Sequence, residues 1–103
     1  MNHRFRKLDV ATVKNSISPH DFYLSEQSLH HFGTRSKEWV SAGLCPFHDD
    51  GRQGSFFINL VTGGFNCFSC GAKGGDIIAF VMKKHNFSFR EALESLYRDG
   101  GLL

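Results

Sequence analysis

The three cysteines of this 103-residue chain lie in one stretch, where they form two short pairs of metal-binding side chains. Cys45-Pro-Phe-His48 pairs a cysteine with a histidine, and Cys67-Phe-Ser-Cys70 pairs two cysteines. The loop between the pairs has a length typical of two-knuckle zinc modules. Two such turns complete a tetrahedron, so the sequence predicts a closed, structural Zn²⁺ site with three thiolates and one imidazole.

Other uses of these cysteines fit the pattern less well. A disulfide framework would need an even number of cysteines, and the chain starts with nothing that resembles a secretory signal. A catalytic zinc site usually has three protein ligands and keeps the fourth position for water. A redox Cys-x-x-Cys would be expected beside a βαβ pattern, which is missing here.

Composition indicates a globular chain that makes one domain over residues 1–103, with 41% hydrophobic residues and eleven phenylalanines. No apolar run has the length of a membrane span, so no membrane partner is predicted. Free thiols without a signal peptide predict a cytoplasmic location. The formal charge is +2, and three thiolates with one Zn²⁺ change it by −3 + 2, to +1. Nucleic-acid contacts would therefore depend on local patches.

The first part of the chain predicts helices. Residues 1–8 are basic, and either a frayed terminus or a phosphate-contacting arm fits them. Asp9 is a predicted N-cap for a short helix in which Val10, Val13 and Ile17 share one face. A second helical turn is expected after Ser18-Pro19, with Phe22 and Leu24 as its anchors. A strand is predicted over Leu29–Phe32.

From Trp39 the hydrophobic period is two, which predicts a small antiparallel sheet with zinc at one end. The first strand leads into the Cys45–His48 pair, and Ser55–Leu60 forms the second strand. Phe65–Cys67 forms the third strand, which runs back into the cysteine pair after a turn at Thr62-Gly63-Gly64. Two sets of inward side chains are expected, Val40, Ala42 and Leu44 and then Phe56, Ile58 and Leu60, with Phe57 and Asn59 on the opposite face.

The rest of the chain predicts a loop and two helices. Residues 71–75 are expected to be a loop before a helix that Asp76 caps, with Ile77, Phe80, Val81 and Lys84 on its buried stripe. Ser88 and Glu91 form a capping box for the last helix, which ends at Gly100-Gly101. Its predicted buried face comprises Phe89, Leu93, Leu96 and Tyr97. The fold class is α+β, a zinc ribbon with flanking N- and C-terminal helices.

Residues 39–97 resemble the zinc-binding domain of DnaG-type bacterial and phage DNA primases. The matching segments are Gly43–His48, Ser55–Ile58, Phe65–Gly71, Gly74–Met82 and Ser88–Leu93. Gly54 stands where this family usually has proline, and the preceding loop is one residue longer. The chain lacks the acidic cluster of the primase polymerase domain, so no primer synthesis is assigned to it. We expect an excised domain or, given Met1, a free-standing relative from a plasmid, phage or other mobile element.

The resemblance implies a single-stranded DNA binding module that positions a template for priming. Aromatic side chains on a sheet can stack on bases while nearby cations hold phosphates. The predicted DNA-binding residues are Arg35, Lys37, Trp39, Arg52, Phe57 and Lys73. Burial of Trp39 and Phe57 beneath another element is an equally open interpretation. The alternative function is a protein-interaction adapter that docks on a separate primase polymerase, helicase or regulator, an interpretation that the low net charge favours.

Overall fold

The computed structural model describes residues 8–27, 38–49, 51 and 54–102. In these residues two helices precede a four-stranded sheet and two helices follow it, which confirms the predicted α+β class. The elements are α1 (Val10–Ser16), α2 (Pro19–Gln27), β1 (Trp39–Ser41), β2 (Phe56–Asn59), β3 (Phe65–Cys67), β4 (Lys73–Gly74), α3 (Ile77–His85) and α4 (Phe89–Asp99). Within the described ranges, no helix combines the length and the apolar character needed to cross a membrane. The strand predicted over Leu29–Phe32 and the basic residues 1–7 lie outside them.

The sheet is antiparallel throughout, with the strand order β1-β2-β3-β4. Val40, Ile58 and Phe65 lie side by side in the register and face the core, where each is at most 4% exposed. The predicted inward positions Val40, Ala42, Phe56 and Ile58 are therefore confirmed, whereas Asn59, predicted on the opposite face, is also buried. Leu44, predicted to face inward, is instead 48% exposed. The strand ends at Ser41 and Gly43 has a φ of 77°, so the alternation no longer applies.

The loop predicted over residues 71–75 contains a strand. Lys73 and Gly74 form β4, which pairs with Asn66 and Phe65 of β3. Two residues are too few to produce a period-two pattern, so this strand carried no sequence signal. A glycine is required at position 74, because a Cβ atom there would lie 2.5 Å from the ring of Phe65.

The core is built around Phe80 of α3. Its ring packs edge-on against Tyr23 and Phe22 of α2, at centroid distances of 5.1 and 5.6 Å. On the sheet side it meets Phe47 at 5.3 Å and Phe65 at 5.4 Å. Each of these edge-to-face contacts adds to the free energy of burial. Helix α3 thus joins the N-terminal helices to the inner face of the sheet.

The predicted helix ends are confirmed. The carboxylates of Asp9 and Asp76 accept hydrogen bonds from the first turns of α1 and α3. Ser88 and Glu91 form the complete capping box of α4, and Gly100 is its C-cap. These caps were predictable because they depend on residues only two or three positions apart.

Two predicted anchors are wrong. Leu24 is 39% exposed, and its neighbour Tyr23 is buried in its place, beside Phe22. Phe89 is 50% exposed, and the buried stripe of α4 comprises Ala92, Leu93, Leu96 and Tyr97. Phe89 is the first residue of its helix, where a side chain has helical neighbours on one side only.

On α3, Ile78 is buried in addition to the predicted stripe, and the ammonium group of Lys84 lies 3.0 Å from Glu26.

The β2–β3 turn is held by hydrogen bonds from two buried side chains, Asn59 and Tyr23. The Oδ1 atom of Asn59 accepts hydrogen bonds from the backbone N–H groups of Val61 and Thr62, both at 2.8 Å. The hydroxyl of Tyr23 donates to the carbonyl oxygen of Gly63 at 2.7 Å. Burial, with a smaller contribution from the charge of Asp76, raises the pKa of Tyr23. The phenol therefore remains a donor.

Tyr23→Phe is expected to lower the free energy of unfolding by about 1–3 kcal/mol, because the buried carbonyl group of Gly63 would lose its donor. Urea unfolding followed by circular dichroism measures this. Tyr97→Phe is the matched control. The Tyr97 hydroxyl accepts a hydrogen bond from the N–H of Asp9, and because Asp9 is exposed this N–H can bond to water in the variant. Equal losses in the two variants would contradict the prediction.

Candidate metal centre and aromatic sheet face

The two cysteine-containing turns meet at one end of the sheet. The first follows β1 and contributes Cys45 and His48, and the second begins at the end of β3 and contributes Cys67 and Cys70. The possible ligand atoms of these four side chains all lie within 4.8 Å of one another. Cys45 and Cys67 are buried, His48 is partly buried and Cys70 is exposed.

The second turn is closed by its own backbone. The N–H of Gly71 donates to the carbonyl oxygen of Cys67 at 2.9 Å, and the N–H of Cys67 donates to the carbonyl oxygen of Ala72 at 2.8 Å. Gly71 has a φ of 81°, a conformation that glycine adopts without strain. The sequence feature Cys-x-x-Cys-Gly therefore forms a tight turn that aims both thiols at the same point.

The donor set and its spacing fit Zn²⁺. The Sγ atoms of Cys45 and Cys70 are 3.8 Å apart. That distance is far beyond the ~2.05 Å of a disulfide bond. It equals the ~3.8 Å edge of a tetrahedron whose Zn–S bonds are about 2.3 Å long. Three thiols and an imidazole form a typical closed zinc site.

The environment shifts the pKa values of two thiols in opposite directions. Burial raises the pKa of Cys45 to about 12, although a hydrogen bond from the N–H of Phe47 opposes the shift. Burial also acts to raise the pKa of Cys67, but hydrogen bonds, first among them those from the N–H groups of Cys70 and Ser69, lower it overall. A coordinating Zn²⁺ deprotonates such thiols, so acid competes with metal binding.

The outer face of the sheet carries an aromatic hollow of about 220 Å³, lined by Trp39, Phe57, Asn66 and Phe68. Trp39 is 46% exposed and Phe68 is 73% exposed. The rings of Phe57 and Phe68 are in edge-to-face contact, with centroids 5.6 Å apart. Trp39 is thus about half exposed, and the partly buried ring of Phe57 contacts the exposed ring of Phe68.

The predicted DNA-binding residues divide into two groups. Trp39 and Phe57 line the aromatic hollow, and Lys73 is an exposed residue directly opposite Asn66 in the β3–β4 register. Arg35, Lys37 and Arg52 lie outside the described residues. The sequence analysis missed Phe68 and Asn66, because both stand beside cysteines and were assigned only to the metal-binding turn and its strand.

Comparison with known proteins places this architecture among the primases. The family model described as the CHC2 zinc finger matches residues 10–102. A DNA primase of Streptomyces coelicolor is 38% identical over 100 residues, which are 96% of this chain and 14% of that protein. The DNA primase of Mycolicibacterium smegmatis is 38% identical over 88 residues, 85% of this chain and 13% of its own.

A solved structure shows the same relationship. The zinc-binding and RNA polymerase domains of the Aquifex aeolicus primase match 93% of this chain with a TM-score of 0.67 and 27% identity. The match covers 22% of that structure. The chain therefore spans only a small part of the length of the primases that it resembles.

Proposed function

The chain belongs to the CHC2 zinc finger family of DnaG-type DNA primases, and from this premise we propose that it is a single-stranded DNA binding module. It presents a template strand for priming and has no polymerase activity of its own. The polymerase chemistry belongs to a separate domain or protein. The matched region is a small part of each related primase, which is consistent with this division of roles.

We propose Cys45, His48, Cys67 and Cys70 as the four ligands of one structural Zn²⁺. The bound ion would supply a fixed, closed cross-link and no reactive coordination position. Other residues of the chain position the ligands: Gly71 allows the tight turn after Cys70, and the N–H of Phe47 donates to the sulfur of Cys45. The ion would hold the turn after β1 against the end of β3.

The observation that carries the DNA-binding proposal is the aromatic hollow on the outer face of the sheet. Three rings, one of them 73% exposed, surround it, and Lys73 stands at its border. Aromatic side chains on an open sheet are suited to stacking on unpaired bases, at about 1–3 kcal/mol for each base. Double-stranded DNA would not offer its base faces to such a surface.

Charge limits the strength of this binding. The formal net charge is +2, and Lys73 is the cation that the described sheet face contributes. Few phosphate contacts mean little counterion release, so we expect a dissociation constant on the order of micromolar or weaker. Stacking then contributes most of the affinity.

Single-stranded oligonucleotides are expected to quench the fluorescence of Trp39, which is the single tryptophan of the chain. Titrations over a salt series test the roles of the side chains. Lys73→Ala should flatten the log–log salt dependence by about 0.7 if it contacts one phosphate. Trp39→Ala, followed with a labelled oligonucleotide, should weaken binding with little change in that slope, because stacking releases few counterions.

The matched control is Arg90→Ala, which removes the same charge from α4. Arg90 is 71% exposed and pairs only with Glu94 of its own helix among the described residues. Its removal should leave both affinity and slope unchanged. If the folded, zinc-loaded protein binds no oligonucleotide even at low salt, the proposal fails.

That outcome would favour the adapter function. The low net charge and the exposure of Phe68 and Leu44 near the metal centre support a surface for a separate primase polymerase or helicase. Trp39→Ala and Phe68→Ala should then weaken capture of that partner, while oligonucleotides have no effect on it.

A further inference from the structure

We propose that the aromatic hollow accommodates one base at a time and that Asn66 reads the edge of this base, with a preference for adenine. The inference rests on the proposed single-stranded DNA binding and adds base selectivity to it. It assigns a specificity role to a residue that neither the metal site nor the core uses.

The position of Asn66 supports this role. Its neighbours across the sheet are Phe57 on β2 and Lys73 on β4, so it lies between an aromatic wall and a cation. The other linings of the hollow are the rings of Trp39 and Phe68, which leaves Asn66 as the one lining side chain that offers both a hydrogen-bond donor and an acceptor. A base stacked on these rings would turn its edge toward the amide.

The amide of Asn66 is available for such a contact. Among the described residues, no hydrogen-bond partner of this side chain is found. Asn59 offers a contrast, since its Oδ1 atom accepts two hydrogen bonds from its own turn. The backbone of Asn66 pairs with strands on both sides, so replacing its side chain leaves the ladder in place.

The chemistry of the amide selects the base. In this proposal the amide contacts the edge of the base that carries N7 in purines. An asparagine side chain offers one acceptor and two donors on a short stem, and the N6 and N7 atoms of adenine are its usual bidentate partner on that edge. The corresponding edge of guanine presents two acceptors, O6 and N7, which the amide matches less well. The same edge of cytosine has only the N4 donor and that of thymine only the O4 acceptor, so neither forms the bidentate pair.

The test is the binding of labelled oligo-dA, oligo-dC and oligo-dT to the zinc-loaded full chain at one low salt concentration. Homopolymers place the same base in the hollow in every binding register. We expect oligo-dA to bind about tenfold more tightly than oligo-dT, near the lower end for a bidentate contact. Asn66→Ala should bring oligo-dA to the affinity of oligo-dT and change the affinity for oligo-dT less than about twofold.

Ser41→Ala is the matched control, because Ser41 is exposed and pairs with Phe57 on the same face but does not line the hollow. It should retain the preference for oligo-dA. Equal binding of all oligonucleotides by the unaltered protein, or a preference that survives in Asn66→Ala, would overturn the inference while DNA binding itself stands. Absence of binding to every oligonucleotide would overturn the proposed function, and base selectivity with it.

Discussion

Removal of zinc by a chelator is expected to unfold the protein. Structural Zn²⁺ in small modules contributes about 10–16 kcal/mol of apparent binding free energy. The whole stability of a domain is about 5–15 kcal/mol. In this fold the loss extends beyond the metal centre, because Phe47 lies between Cys45 and His48 and packs on Phe65 and Phe80. Release of the first turn would therefore open the core.

Near-ultraviolet circular dichroism measures this unfolding directly, since the aromatic cluster around Phe80 should lose its fixed geometry. The control is readdition of Zn²⁺ under reducing conditions, which should restore the signal. Elemental analysis should find one zinc for each chain. Protein purified under reducing conditions that contains no stoichiometric metal and is nonetheless folded would contradict the prediction.

His48→Ala is expected to be nearly as damaging as the loss of a cysteine ligand such as Cys67. Its side chain is the imidazole of the four-residue cluster, so its removal leaves three thiols and an incomplete coordination shell. A zinc content below one per chain and a large drop in thermal stability should follow. Measurement of bound zinc and of the melting temperature for each variant tests this.

Histidines outside the cluster provide the controls. His20→Ala removes an imidazole that is 49% exposed and lies 3.5 Å from the exposed Asp21, a contact of small energetic value. His30→Ala and His31→Ala are also expected to be mild, since neither has ligand spacing to a cysteine. Full zinc content and unchanged stability in His48→Ala would mean that the fourth ligand is another group.

Sequence alone was sufficient wherever the interacting residues are close in the chain. The spacing of Cys45 to His48 and of Cys67 to Cys70 predicted the metal cluster, because a tight turn brings such pairs together whatever surrounds it. The caps of α1, α3 and α4 were predictable for the same reason. The period-two pattern identified β1 and β2, since one face of each is buried, and the turn at Thr62-Gly63-Gly64 located β3.

Tertiary structure decided the features that depend on residues far apart in the chain. The two-residue strand β4 forms because β3 offers it an edge, and Phe89 is exposed because no element in the described part of the chain covers the start of α4. The aromatic hollow is the main example: Trp39, Phe57 and Asn66 belong to three different strands, and Phe68 follows the third. Which of these side chains share a face is determined by strand register, and that register is fixed where buried side chains of the sheet such as Phe56 and Phe65 pack against Phe80 of α3.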